Sequence, residues 1–227
     1  MKHRRISGTI AYIGDHGGER GREFFDVTVH ADGSRTLRAT SEMDDTDILR
    51  DVVYTVDGAW QPVDAYVRLT VRGAFMGAGW FLFTDRQAEG EIFTAETGRM
   101  SQRITTDRRT PSFGAHPVVG DALHLGCFRG AKQEGSQTHP DVLMSSPLPN
   151  GASGPMLSPL ALTAEYLGEE EITVPAGTFV TDHYRYVLPD DPDEHVWVIP
   201  EDYTLVRLRW DRLETTYELV EYRDSAT

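Results

Sequence analysis

The sequence predicts an all-β protein: a single antiparallel barrel or strongly curved sheet of roughly ten to fourteen strands, with one or two short helices at its mouth. Three observations carry that prediction. Most segments alternate apolar and polar residues with period two, as half-buried strands do, while helical periodicity is scarce. Asp32-Gly33 and Asp57-Gly58 favour the positive backbone angles of tight hairpin turns, so strands adjacent in sequence pair with each other. Across 227 residues an apolar fraction of 39% fills a sizeable core, and no shift in composition divides the chain, so residues 1–227 read as one domain.

The strands expected in the first half are 9–13, 23–30, 35–42, 52–56, 65–72, 79–84, 91–95 and 100–106. In 65–72, Val67, Leu69 and Val71 form one face and Tyr66, Arg68, Thr70 and Arg72 the other. In 100–106, Met100, Gln102 and Ile104 alternate with Ser101 and Arg103. Asp44 to Asp47 ahead of Ile48 resembles a helix start, with acids at the positive end of the dipole. Residues 118–128 suit a short amphipathic helix, and 129–159 is rich in Gly, Pro and Ser and reads as a long loop, a lid or a mouth. Beyond it lie strands 161–168, 170–174, 178–188, 195–199, 205–210 and 215–223. Trp197 alternates with Val196 and Val198, so that strand is apolar on both faces and belongs inside the sheet rather than at its edge.

The charge excludes some partners. With 36 acids against 22 Lys and Arg the formal net charge is −14, which opposes long-range attraction to nucleic acid or to an anionic membrane. The 23 uncharged residues 142–164 are long enough to span a bilayer, but Pro147, Pro149, Pro155 and Pro159 would break a helix there. The basic start, Met1 to Arg5, is followed by too short an apolar stretch for a signal peptide, and the lone Cys127 forms no internal disulfide; the expectation is a cytoplasmic protein. Self-association into a homo-oligomer is left open.

The C-terminal third carries a recognisable pattern: Val174-Pro175-Ala176-Gly177-Thr178-Phe179, then Tyr184-Arg185-Tyr186, then Val196-Trp197-Val198-Ile199-Pro200. Over about 60 residues it resembles uncharacterised antiparallel-barrel families related to the lipoprotein-carrier half-barrels, and more broadly lipocalin-like proteins. That resemblance implies a curved sheet around an apolar cavity and no catalytic residue. Pro175, with its preset backbone angle, and Gly177 also explain the hairpin without reference to any family.

No phosphate loop, dinucleotide fingerprint, nucleophile elbow or zinc-type cysteine pair is present, so neither a cofactor nor a metal is expected. His116 stands out because Gly114-Ala115-His116-Pro117 holds it in a constrained loop before the expected helix, where an imidazole suits general acid or base work. His124 and Cys127 stand three apart, which fits an imidazole–thiolate pair or a merely buried cysteine. His183 and His195 fall on neighbouring strands. Arg35 and Arg38 lie on opposite faces of theirs, and a guanidinium turned inward needs a carboxylate, with Glu42, Asp45 and Asp51 nearby.

These readings support an enzyme acting on a small, mostly apolar organic molecule inside the barrel by cofactor-independent isomerase, hydratase or lyase chemistry. His116 would be its acid or base, Arg68 or Arg103 would stabilise an oxyanion, and Trp80, Tyr186 and Trp197 would shape the cavity. A carrier that binds a hydrophobic small molecule without catalysis fits the same features.

Overall fold

A computed structural model of the chain describes residues 3–188 and 191–226. The first eight strands are β1 Arg4–Gly14, β2 Glu19–Val29, β3 Arg35–Met43, β4 Ile48–Val56, β5 Pro62–Val71, β6 Ala74–Phe83, β7 Gln87–Thr94 and β8 Gly98–Thr105. A two-residue strand, β9 Phe113–Gly114, leads into helix α1 Val118–His124, a 3-10 turn Leu125–Phe128 and the single turn α2 Ala131–Glu134. Then come β10 Ser136–Met144, β11 Ser158–Val174, β12 Gly177–Val187, β13 Glu194–Ile199, β14 Thr204–Trp210 and β15 Thr215–Asp224.

All fifteen strands form one sheet in the order β8-β7-β6-β5-β4-β3-β2-β1-β15-β14-β13-β12-β11-β10-β9. Every pairing is antiparallel except β9 with β10. The first and last strands, β1 and β15, meet in the middle, so the chain starts at the centre, runs outward to β8, and returns from β9 to close beside its own beginning. The sheet curls strongly without closing, because β8 and β9 are not paired. The fold is therefore the all-β curved sheet expected, in its open form.

Alternation determines which face lies inside the curl. Val52, Tyr54 and Val56 of β4, Val67 of β5 and Phe81 and Phe83 of β6 are buried, while Val53, Tyr66 and Trp80 between them are exposed. The concave side is filled rather than empty. Phe113 is fully buried against Phe81 and Phe83, at 5.0 Å from each ring, and Val119, Ala122, Leu123, Leu125 and Phe128 pack in behind it.

Four sequence expectations are corrected. Asp44 to Asp47 form the turn of the β3–β4 hairpin, not a helix start; Met43 pairs directly with Ile48, leaving room for four residues only. Within 129–159 the chain forms α2 and all of β10, so the long loop shrinks to residues 145–157. The strands expected at 161–168 and 170–174 are one strand, β11, interrupted at Leu167 by a bulge. The inward guanidinium of β3 is that of Arg35, but its carboxylate is Asp202 at 3.0 Å, reached across the curl, while its other face lies 3.9 Å over the Trp60 ring.

Trp60 in turn fixes Gly126 in the 3-10 turn. A Cβ at Gly126 would lie 2.3 Å from the indole, which is buried and held by both Arg35 and Tyr203, the latter at 5.0 Å. Gly126→Ala is expected to cost about 1–3 kcal/mol by overpacking, read as a lower urea midpoint with an unchanged slope. A midpoint equal to that of the wild type would mean the ring is free to shift.

Candidate functional site

Polar side chains gather where α1, the 145–157 loop and strands β13 and β14 meet at the mouth of the curl. The arrangement begins with Glu23 on β2. It occupies an inward position beside Phe25 and Val27, is fully buried, and accepts from Tyr12 Oη at 2.8 Å, Ser41 Oγ at 2.8 Å, and the backbone N–H groups of Val118 and Val119 at 2.9 Å each. Helix α1 has no side-chain cap of its own, because Pro117 supplies none. The carboxylate of Glu23 takes that place from across the sheet. Burial raises its pKa above the ordinary carboxylate value, and the four donors offset only part of that rise.

Arg50 on β4 is the second inward charge, 1% exposed. Its guanidinium donates to two backbone carbonyls, those of His116 at 2.6 Å and Asn150 at 2.5 Å, and so fastens both the approach to α1 and the 145–157 loop to the sheet. The loop follows closely: at Gly151, with φ +67°, an added Cβ would lie 2.5 Å from the Arg50 guanidinium and 2.9 Å from His116. His116 itself has φ +68°, in the left-handed region that histidine tolerates better than most residues. Its Nε2–H donates to the Ser146 carbonyl at 3.2 Å.

Between these groups lies a cleft with two lobes. The smaller, about 120 Å³, is bounded by Tyr12, Arg50, Tyr217 and Leu208. The larger, about 260 Å³, is walled by Met144, Leu160, Leu162, Tyr186 and Leu188 and covered by Pro147 and Leu148. His116, Asp121, Pro149, Glu194 and Trp210 border both lobes. Asp121 comes from α1 and Glu194 from the first position of β13. Burial, and then the charge of Glu194, push the Asp121 carboxyl well above its ordinary range. Burial pushes Glu194 up to about 7. Burial acts on the imidazoles in the opposite sense, pushing His116 down to about 3, with the Arg50 charge adding to the effect, and His124 down to about 4. At neutral pH the site therefore holds two uncharged imidazoles and two carboxyls that compete for a proton.

The structure distributes the expected site residues unevenly. His116 and Tyr186 are in the cleft, where the Tyr186 hydroxyl donates to the Asp121 carbonyl at 2.8 Å. Arg68, Arg103 and Trp80 are on the outer face: Arg68 lies 3.6 Å from Asp51, Arg103 2.8 Å from Glu89, and Trp80 is 48% exposed. Trp197 is also outside, stacked 4.2 Å from His183. His183 and His195 do face the same way, Nε2 to Nδ1 at 2.9 Å, but on that outer side with Glu170. The oxyanion role expected of Arg68 or Arg103 therefore has no geometric link to His116; alternation turns both arginines away from the curl. Cys127 is half-buried, desolvation pushes its thiol up to about 12, and His124 binds Ser112 Oγ at 2.6 Å, so no imidazole–thiolate pair forms. Arg50, Glu23, Asp121 and Glu194 were not singled out in the sequence. Among the described residues no group of three His, Cys, Asp or Glu is placed to hold a metal ion.

No known protein family and no curated protein matches the sequence. Solved structures do match in fold. A β-barrel-like protein of a domain of unknown function, DUF1849, from Brucella abortus aligns with a TM-score of 0.57 at 11% identity, covering 98% of this chain and 97% of that one. The likeness thus spans the whole chain and is not confined to the C-terminal third. An exported protein with a YmcC-like fold from Bacteroides fragilis aligns at 12% identity with a TM-score of 0.31, covering 98% of this chain and 96% of that one. MucB aligns at 11% identity with a TM-score of 0.32, covering 99% of this chain and 54% of that one. No helix among the described residues is long and apolar enough to cross a membrane.

Proposed function

We propose that the protein binds a small, mostly apolar organic molecule in the cleft between the curled sheet and the 145–157 loop. The observation that carries this reading is the larger lobe. Leucine, methionine, proline and aromatic side chains make most of its wall, with His116, Asp121, His124 and Glu194 as polar groups among them, the composition of a ligand pocket rather than of a packing defect. Its covering loop is anchored at both margins, by Ser145 N to Gly114 O at 2.7 Å and by Leu157 N to Gln102 Oε1 at 2.7 Å, so the pocket is preformed. Native mass spectrometry of the purified protein, followed by denaturing extraction, is expected to yield a stoichiometric small molecule. Protein that is empty and stays empty when soaked with apolar compounds would count against the reading.

A second reading, cofactor-independent acid–base chemistry on the bound molecule, is favoured by Glu194. A carboxyl near 7 is half protonated at neutral pH, where general acid and base catalysis work best. His116, neutral down to about pH 3, makes a poor base and no acid there, so proton transfer falls to the Asp121–Glu194 pair. On this reading the extracted molecule returned to fresh protein is converted to a product of equal mass or one changed by a small fragment, and Glu194→Gln abolishes conversion. Equal conversion by wild type and variant would remove Glu194 from the chemistry, and no conversion by either would leave binding alone.

A further inference from the structure

We propose that the larger lobe takes a primary or secondary amine carried on an apolar body, its ammonium seated between Asp121 and Glu194; the inference rests on reading that lobe as a ligand site. Charge is the first argument. No lysine or arginine is found among the described residues lining the lobe, while Asp121, Asp191 and Glu194 are there. Asp191 is paired with Arg212. The Arg50 cation borders only the smaller lobe, and two of its nitrogens are already bound to carbonyls.

Hydrogen bonding is the second argument. The side chains of Asp121 and Glu194 receive no hydrogen bond from the described residues, and Glu194 Oε1 is fully buried. Two carboxyls that share one proton still offer more acceptor sites than they can fill for each other, and once ionised they only accept, so the group that satisfies this pair must donate. An ammonium brings two or three donors together with the compensating charge, and its hydrogen bonds to carboxylates are the strong, charge-assisted kind.

An independent observation points into the same lobe. His124 is 3% exposed and borders it; Nδ1 is engaged with Ser112 Oγ at 2.6 Å, and Nε2 has no partner. With the Nδ1 proton directed at Ser112, Nε2 offers a lone pair, a further acceptor for a donor-rich ligand. The other imidazole on the wall, His116, is tied to Ser146 and adds none. The remaining wall, from Leu160 and Leu162 to Trp210, suits an alkyl or aryl body.

The test is calorimetric titration of the full chain at pH 8 with three compounds of matched length, hexylamine, 1-hexanol and hexanoate, and then with their decyl counterparts. Hexylamine is expected to bind at least about tenfold more tightly than hexanol, and hexanoate more weakly than either. In Asp121→Asn and Glu194→Gln that preference should shrink to within about threefold while hexanol affinity is retained. If the alcohol or the acid binds wild-type protein as tightly as the amine, the amine assignment is overturned and the pocket stands. If no compound of either length binds, the ligand-site reading falls as well. The wild-type comparison decides the question even if a variant fails to fold.

Discussion

Glu23→Ala is expected to destabilise the fold by about 3–5 kcal/mol, the scale for removing one partner from a buried charged network. The carboxylate serves four donors at once, and alanine would leave the Tyr12 hydroxyl, the Ser41 hydroxyl and two N–H groups of α1 without it in a site closed to solvent. Because α1 has no other side-chain cap, the loss falls on the helix that fills the concave face, and Val119, Ala122 and Leu123 would loosen with it. Glu23→Gln separates the parts. It removes the burial cost of the charge, yet its amide points a donor at groups that are themselves donors, so its loss should be smaller but still clear. Chemical denaturation with amide exchange on α1 reads both effects. A midpoint for Glu23→Ala within error of the wild type would show that the helix is held by its apolar face alone.

The same residue illustrates how much of the molecule is legible in the sequence. Strands β2 to β7 follow from period-two alternation because each has one face in the core and the other turned outward. Strand β10 was not legible: in Ser136–Met144 only Val142 and Leu143 are buried, and Pro140 interrupts it, so no alternation marks it. The acids at 44–47 were ambiguous in principle, since the residues that open a helix also turn a hairpin. The site was legible in part, but in the wrong parity. A search for polar side chains on the polar faces of strands leads to Arg68 and Arg103, which solvent explains. The informative residues are charges at apolar positions: Arg50 between Ile48 and Val52, Glu23 in step with Phe25 and Val27, and Glu194 in step with Val196 and Val198. A charge kept in such a position is expensive, so it has a partner or a purpose. What no local pattern reveals is that Asp121 comes to face Glu194. That juxtaposition depends on the curl of the whole sheet, which returns β13 and β14 against α1.

The pH dependence of stability tests the carboxyl pair directly. Glu194 in the folded protein titrates near 7, against about 4.3 for an unperturbed glutamate, so between those values the folded state holds a proton that the unfolded state has released. Its contribution is therefore fully present below about pH 4.3 and is lost as pH rises through 7, and Asp121, raised for the same reason, adds to the same slope. His116 and His124 act with the opposite sign. Their folded values, about 3 and about 4, lie below the unfolded one, so falling pH protonates the unfolded chain first and stability drops as pH falls below about 6.5. The two trends oppose each other over the same interval, and the wild-type curve alone would not separate them. Glu194→Gln does, because glutamine matches the neutral carboxyl in size and does not ionise. The stability of Glu194→Gln minus that of the wild type should rise between about pH 4.5 and 7.5, by of order 2 kcal/mol, with the variant favoured at the alkaline end. A flat difference across that interval would mean that Glu194 titrates normally, and with it would go the acid–base reading.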